Sequence, residues 1–193
     1  MSTCPAELNF SSHLAALNAA RADKTAYIDD HRRLSYGELA ERVARFAGLL
    51  QDLGLRREER VLLLQHDTVD WPVVFLGALH AGVVPVAVNT LLSVDDYAYM
   101  LRHSRARAAF VSGGLLPMLQ AALTQGGHCV EHVVVSQPTG PLPAGMAEFE
   151  TLLAAAPGVP AARTQADEIA FWLYSSGSTG KPKGVVHTHG NLW

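Results

Sequence analysis

Between Arg32 and Ser136 the chain switches again and again between short apolar runs and stretches whose apolar residues recur every three or four positions. This alternation restricts the fold more than any other feature. Val61 to Gln65, Val83 to Val88, Ala108 to Val111 and Val133 to Ser136 are short and almost continuously apolar, as expected of strands buried on both faces. Between them lie helical periods. Ser35-x-x-Glu38 is a capping box, and Leu39, Val43, Phe46, Ala47 and Leu50 follow it before Gly54. Asp67 is placed to cap a helix running to Ala81, which Gly82 stops. Ser93-x-x-Asp96 opens another helix through His103, and Leu115 to Thr124 reads as a further one. Strand and helix in alternation predict an α/β fold, a mostly parallel sheet flanked by helices.

The ends of the chain are read in the same way. Asn9 to Ala20 is expected to be a short helix capped by Ser11 or Ser12, and Thr25 to Asp29 and Arg32 to Ser35 two strands joined by a turn. From Gln137 to Gln165 proline becomes frequent, which predicts a surface excursion with one short helix at Phe149 to Ala155.

The chemistry is concentrated near the C-terminal end. An apolar run, Ile169 to Tyr174, leads into Ser175-Ser176-Gly177-Ser178-Thr179-Gly180-Lys181-Pro182-Lys183-Gly184, and Val185-Val186 resumes an apolar course. Glycines at 177, 180 and 184 let successive backbone N–H groups converge on an anion without a side chain in the way. Ser175, Ser176, Ser178 and Thr179 add hydroxyl donors, and Lys181 and Lys183 add positive charge on either side of a stiffening proline. A flexible Gly/Ser linker would need neither the flanking apolar strands nor the lysines. The run is not a Walker A loop, because Gly180-Lys181 is followed by proline, and Gly-x-Gly of the dinucleotide fingerprint is absent. It reads as a phosphate loop between two strands.

Composition narrows the partners. With 49% apolar and 17% charged residues the chain is globular in type, and its 193 residues suffice to bury roughly 70% of the unfolded surface. A net charge of -3 argues against nucleic acid or an anionic membrane as partner. Cys4 and Cys129 form no disulfide framework, and neither a signal segment nor an apolar stretch of membrane-spanning length is present, so the cytoplasm is the expected location. His187-x-His189 lacks a third ligand, and no metal-binding set is assigned. Cys129 is expected to be a small core residue, and Trp71-Pro72, Tyr97 and Tyr99 to serve packing.

Tyr174 to Val185 resembles the signature phosphate loop of the adenylate-forming superfamily: acyl- and aryl-CoA ligases, luciferases and peptide-synthetase adenylation domains. Leu34-Ser35-Tyr36-Gly37-Glu38-Leu39 and Leu76 to Val86 are similar to that superfamily's first two core motifs. Within it, Glu58 to Leu64, Asp70-Trp71-Pro72, Val84 to Leu92, Asp95 to Leu101, Phe171 to Tyr174 and His187-Thr188-His189 resemble benzoate-CoA ligase-type aryl-CoA ligases. The likeness extends from about Phe10 to the end.

The resemblance implies that residues 1–193 are the N-terminal part of an AMP-binding domain ending just after the phosphate loop, with the C-terminal domain absent. It implies ATP-dependent activation of a benzoate-like carboxylic acid, through an acyl-adenylate, to its coenzyme A thioester by the complete enzyme. ATP, Mg²⁺ and coenzyme A would then be required. Catalytic roles fall on Lys183 and Thr179, and ATP or phosphate contacts on Ser175, Ser176, Gly177, Ser178, Thr179, Gly180, Lys181, Lys183 and Gly184. Two other readings stay open: a fragment or split-enzyme subunit that contributes only the loop, and an adenylation domain serving a carrier protein. The first would expose an apolar sheet edge.

Overall fold

A computed structural model describes residues 3–175 and 181–193. Its elements are α1 (Phe10–Asn18), β1 (Thr25–Ile28), β2 (Arg33–Ser35), α2 (Tyr36–Asp52), β3 (Arg60–Leu64), α3 (Asp70–Ala81), β4 (Val84–Ala87), α4 (Val94–Ser104), β5 (Ala108–Ser112), α5 (Leu116–Thr124), β6 (His132–Ser136), β7 (Met146–Glu148), α6 (Phe149–Ala155), β8 (Ile169–Ser175) and β9 (Lys183–Thr188). Strands β1 and β2 form an antiparallel hairpin, and the other seven form one sheet in the order β7-β6-β5-β3-β4-β8-β9. Every neighbouring pair in that sheet is parallel except β8 and β9. The sheet is mostly parallel and flanked by helices, as the alternation requires.

Both faces of the sheet are covered, which explains why its strands read as continuous apolar runs. Val61 and Leu63 of β3, with Ala108 and Phe110 of β5, point into a core shared with α2, α3 and α6. Leu62, Leu64, Ala109 and Val111 point the other way, onto α4 and α5. The pleat alone makes this division. Helix starts follow the sequence closely: Ser35 and Glu38 form the capping box of α2, Ser93 and Asp96 that of α4, and Gly82 ends α3 at φ 70°.

Three expectations are corrected. Asn9, not Ser11 or Ser12, caps α1, its Oδ1 accepting from the Ser12 N–H at 3.3 Å. Asp67 caps nothing: α3 begins at Asp70, with Val69 in the cap position and no side-chain cap. The later start places Asp70 fully buried beside Arg32, at 2.9 Å, and near Arg42, at 3.6 Å. Burial pushes the Asp70 carboxyl up against the opposing pull of Arg32. Cys129 is exposed rather than in the core.

The stretch from Gln137 to Gln165 is more than a surface excursion. It contributes β7, parallel to β6, and α6, whose Phe149 and Leu153 are buried in the core. Beyond α6 it runs against α2 and α3, Val159 N–H donating to the Ala44 carbonyl and Ala162 N–H to the His80 carbonyl. It approaches so closely that a Cβ on Gly48 would lie 2.0 Å from the Pro157 carbonyl oxygen.

Two histidines tie outlying segments to this body. His80 Nε2 lies 3.1 Å from the Val159 carbonyl, and His189 Nδ1 accepts from the Phe10 N–H at 3.2 Å. Burial lowers both imidazole pKa values below the ordinary one of about 6.5. Below pH of about 6.5 the unfolded chain therefore takes up protons that the folded chain refuses, and stability falls with pH. The urea midpoint is expected to drop between pH 7 and pH 5.5, with a shallower pH dependence in His80→Gln. An unchanged midpoint over that window would contradict the neutral, buried state of both rings.

Candidate phosphate-binding site

Strand β8 runs parallel to β4, which is itself parallel to β3, so all three end on one side of the sheet. Open α/β sheets place their ligands on that side, outside the carboxyl ends of the strands. Strand β9 returns antiparallel from it, with Ser175 opposite Lys183, Tyr174 opposite Gly184 and Leu173 opposite Val185. Directly opposed residues share a face, so the Ser175 and Lys183 side chains leave the mouth of the hairpin on the same side. Both are exposed, as is Lys181. Among the described residues neither lysine is paired with a carboxylate, which leaves two cations available to an anion.

The expected phosphate contacts at Ser176, Gly177, Ser178, Thr179 and Gly180 lie outside the described residues. Of the others, the hairpin brings Ser175, Lys181, Lys183 and Gly184 to one end of the sheet.

Helix α4 packs directly under the hairpin. Tyr99 and His103, one turn apart, stack with ring centroids 5.3 Å apart. The His103 Nδ1 and the Tyr174 hydroxyl are hydrogen-bonded at 2.8 Å. Burial pushes the Tyr174 phenol up, so it remains a neutral hydroxyl. Trp172 joins the group with its ring 6.2 Å from that of His103, and a Cβ on Gly184 would rest 3.4 Å from His103 Cε1. The Lys181 ammonium lies 5.7 Å above the Tyr99 ring. Sequence reading assigned Tyr99 only to packing and gave His103 no role. Their spacing of four on a capped helix was the available signal.

Strand β9 forms the edge of the sheet, and Leu173, Val185 and Val186 expose apolar surface there. His189 is buried against α1 rather than presented with His187 to a metal, and no group of three or more His, Cys, Asp or Glu side chains among the described residues is placed to hold one. No helix among the described residues is long and apolar enough to cross a membrane.

The mostly parallel α/β sheet thus joins β8 to β9 at the carboxyl end of a strand through a segment rich in Gly, Ser, Thr and Lys. The chain belongs to the AMP-binding enzyme family, whose pattern matches residues 14–193. It is 46% identical over 171 residues to a 4-hydroxybenzoate–CoA/benzoate–CoA ligase of Rhodopseudomonas palustris, covering 88% of this chain and 31% of that protein. It is 44% identical over 197 residues to a benzoate–CoA ligase of Thauera aromatica, covering 97% of this chain and 35% of that one. The crystal structure of a benzoate CoA ligase from Burkholderia xenovorans superimposes with a TM-score of 0.84 at 53% identity, over 96% of this chain and 35% of that one. An anthranilate CoA ligase in complex with anthranoyl-AMP gives a TM-score of 0.90 at 32% identity, over 96% of this chain and 36% of that one. The chain thus spans about a third of the length of these relatives.

Proposed function

We propose that these residues form the ATP-phosphate-binding front part of an acid–thiol ligase that activates a benzoate-like carboxylic acid. The observation that carries this is the β8–β9 hairpin, which sets Ser175 and Lys183 side by side at the mouth of a Gly/Ser/Thr loop in a chain of this family. The similar aryl-CoA ligases support the choice of acid.

The reaction has two halves. The carboxylate attacks the α-phosphorus of ATP and pyrophosphate leaves; the thiol of coenzyme A then attacks the acyl carbon and AMP leaves. The first half requires positive charge and donors at the departing phosphates. Lys183 and Thr179 are proposed for that role. Contacts are proposed from Ser175, Ser176, Gly177, Ser178, Gly180, Lys181 and Gly184. Mg²⁺ accompanying ATP would share the neutralisation, and no described residue is assigned to hold it.

The exposed apolar edge at Leu173, Val185 and Val186 supports a second reading, in which this chain supplies the loop to a larger assembly and is inactive alone. Intact mass of the protein made from its own gene, paired with benzoate-dependent ATP–pyrophosphate exchange on the same sample, separates the two. Exchange with a mass far above 20.7 kDa is the expected result. A mass near 20.7 kDa without exchange would favour the second reading. A mass far above 20.7 kDa without benzoate-dependent exchange would refute the proposed acid.

A further inference from the structure

We propose that Tyr99 and His103 of α4 are positioning residues for the phosphate site, a platform that holds Tyr174 and Lys181 on either side of residues 176–180 and so sets the affinity for polyphosphate. The inference rests on the phosphate-binding reading above and adds to it the part that holds the two flanks. Its basis is that one pair of stacked side chains touches both flanks. On the entering side the Tyr174 hydroxyl is hydrogen-bonded to His103 Nδ1 at 2.8 Å. On the leaving side the Lys181 ammonium sits 5.7 Å above the Tyr99 ring, and the ring of His103 lies against Gly184. The contacts are of different kinds. A hydrogen bond fixes the end of β8, whereas a cation over an aromatic face holds a lysine without neutralising it, so its charge remains available to an anion.

With Tyr174 and Lys181 already held, less of their side-chain freedom is lost when a phosphate binds. The platform itself is rigid: Tyr97, Met100 and Leu101 of α4 are fully buried against β3 and β5, and Ser93 and Asp96 cap its start. Its rings stack 5.3 Å apart at 20°, so Tyr99 and His103 present one continuous surface to the hairpin. The Tyr174 hydroxyl, its pKa pushed further up by burial, can donate to or accept from His103 Nδ1 according to the tautomer of the ring.

The test uses the protein made from its own gene and two readouts. First, amine-reactive labelling is followed by peptide mass spectrometry, with exposed Lys24 as the internal reference. Tyr99→Leu is expected to raise Lys181 labelling relative to Lys24 by about two- to fivefold, and Tyr99→Phe, which keeps the ring, to leave it unchanged. Second, calorimetry measures binding of inorganic tripolyphosphate. Tyr99→Leu and His103→Leu are expected to weaken it by about three- to tenfold, with His103→Asn, which can still bond the Tyr174 hydroxyl, recovering most of the loss. Melting temperatures of all variants should stay close together, since His103 is exposed and Leu or Phe at the half-buried position 99 keeps an apolar side chain against the core. Binding that ignores Tyr99→Leu and His103→Leu would overturn the positioning role alone. Labelling that responds in a chain that does not bind tripolyphosphate would overturn the phosphate-binding reading and the positioning role with it.

Discussion

Phe46→Ala is expected to lower stability by about 3–5 kcal/mol, the range for deleting a fully buried aromatic ring. Phe46 has no exposed surface and sits where α2, α3, α6 and β5 converge. Its ring meets that of Phe110 edge-on at 4.9 Å and lies 6.0 Å from that of Phe149. On α3 it lies against Gly77, where an added Cβ would come within 2.5 Å of the Phe46 ring. The ring thus fills space that four elements leave for it, and backbone on that scale cannot collapse to close the hole. Domains of this size are stable by only about 5–15 kcal/mol, so the loss removes a large part of the total. Urea unfolding checks it. Leu17→Ala serves as the control: at 64% exposed it should change stability by less than about 0.5 kcal/mol. A loss for Phe46→Ala no greater than that of the control would mean that this aromatic centre does not hold the helical layer to the sheet.

The sequence made some of this architecture legible and hid the rest, for identifiable reasons. Local signals worked. The capping boxes at Ser35 and Ser93 and the left-handed Gly82 each act within one helical turn, and the structure places them where the residues indicate. Signals that depend on distant partners did not. Strand β7 is only three residues long, without visible alternation, and is defined by pairing with β6. Asp67 reads as a cap on paper, but α3 opens at Asp70, which is buried beside Arg32 and Arg42 from far back in the chain, partners that no local pattern reveals. At the candidate site the residue types of the loop and its strand–loop–strand frame were readable. The platform under it was not, because Tyr99 and His103 acquire meaning only when β8 and β9 fold onto α4 from about 70 residues away. Cys129 shows the converse: an apolar neighbourhood in sequence, Val130 and Val133 to Val135, does not bury a residue that precedes its strand.

On the proposed reading, Lys183→Ala should slow adenylate formation on the order of 10²-fold, the scale seen when one preorganised group facing developing charge is removed. Lys183 is the first residue of β9 and pairs with Ser175, the last of β8, so its backbone is held by the sheet whatever the loop between them does. With the backbone fixed in this way, only the side chain has to order when charge builds on the departing pyrophosphate. Lys181 differs. It lies outside the strand, with its ammonium over Tyr99, and Lys181→Ala should have the smaller effect on rate. Lys183→Arg should recover only part of the activity, because a planar fork cannot stand in for a compact ammonium at every geometry. The measurement separates the half-reactions in the protein made from its own gene: benzoate-dependent ATP–pyrophosphate exchange for the first, thioester formation from supplied benzoyl-adenylate for the second. Only the first transfers charge to pyrophosphate, so only the first should respond. Equal slowing of both would remove Lys183 from the phosphate role and leave it a structural residue at the start of β9.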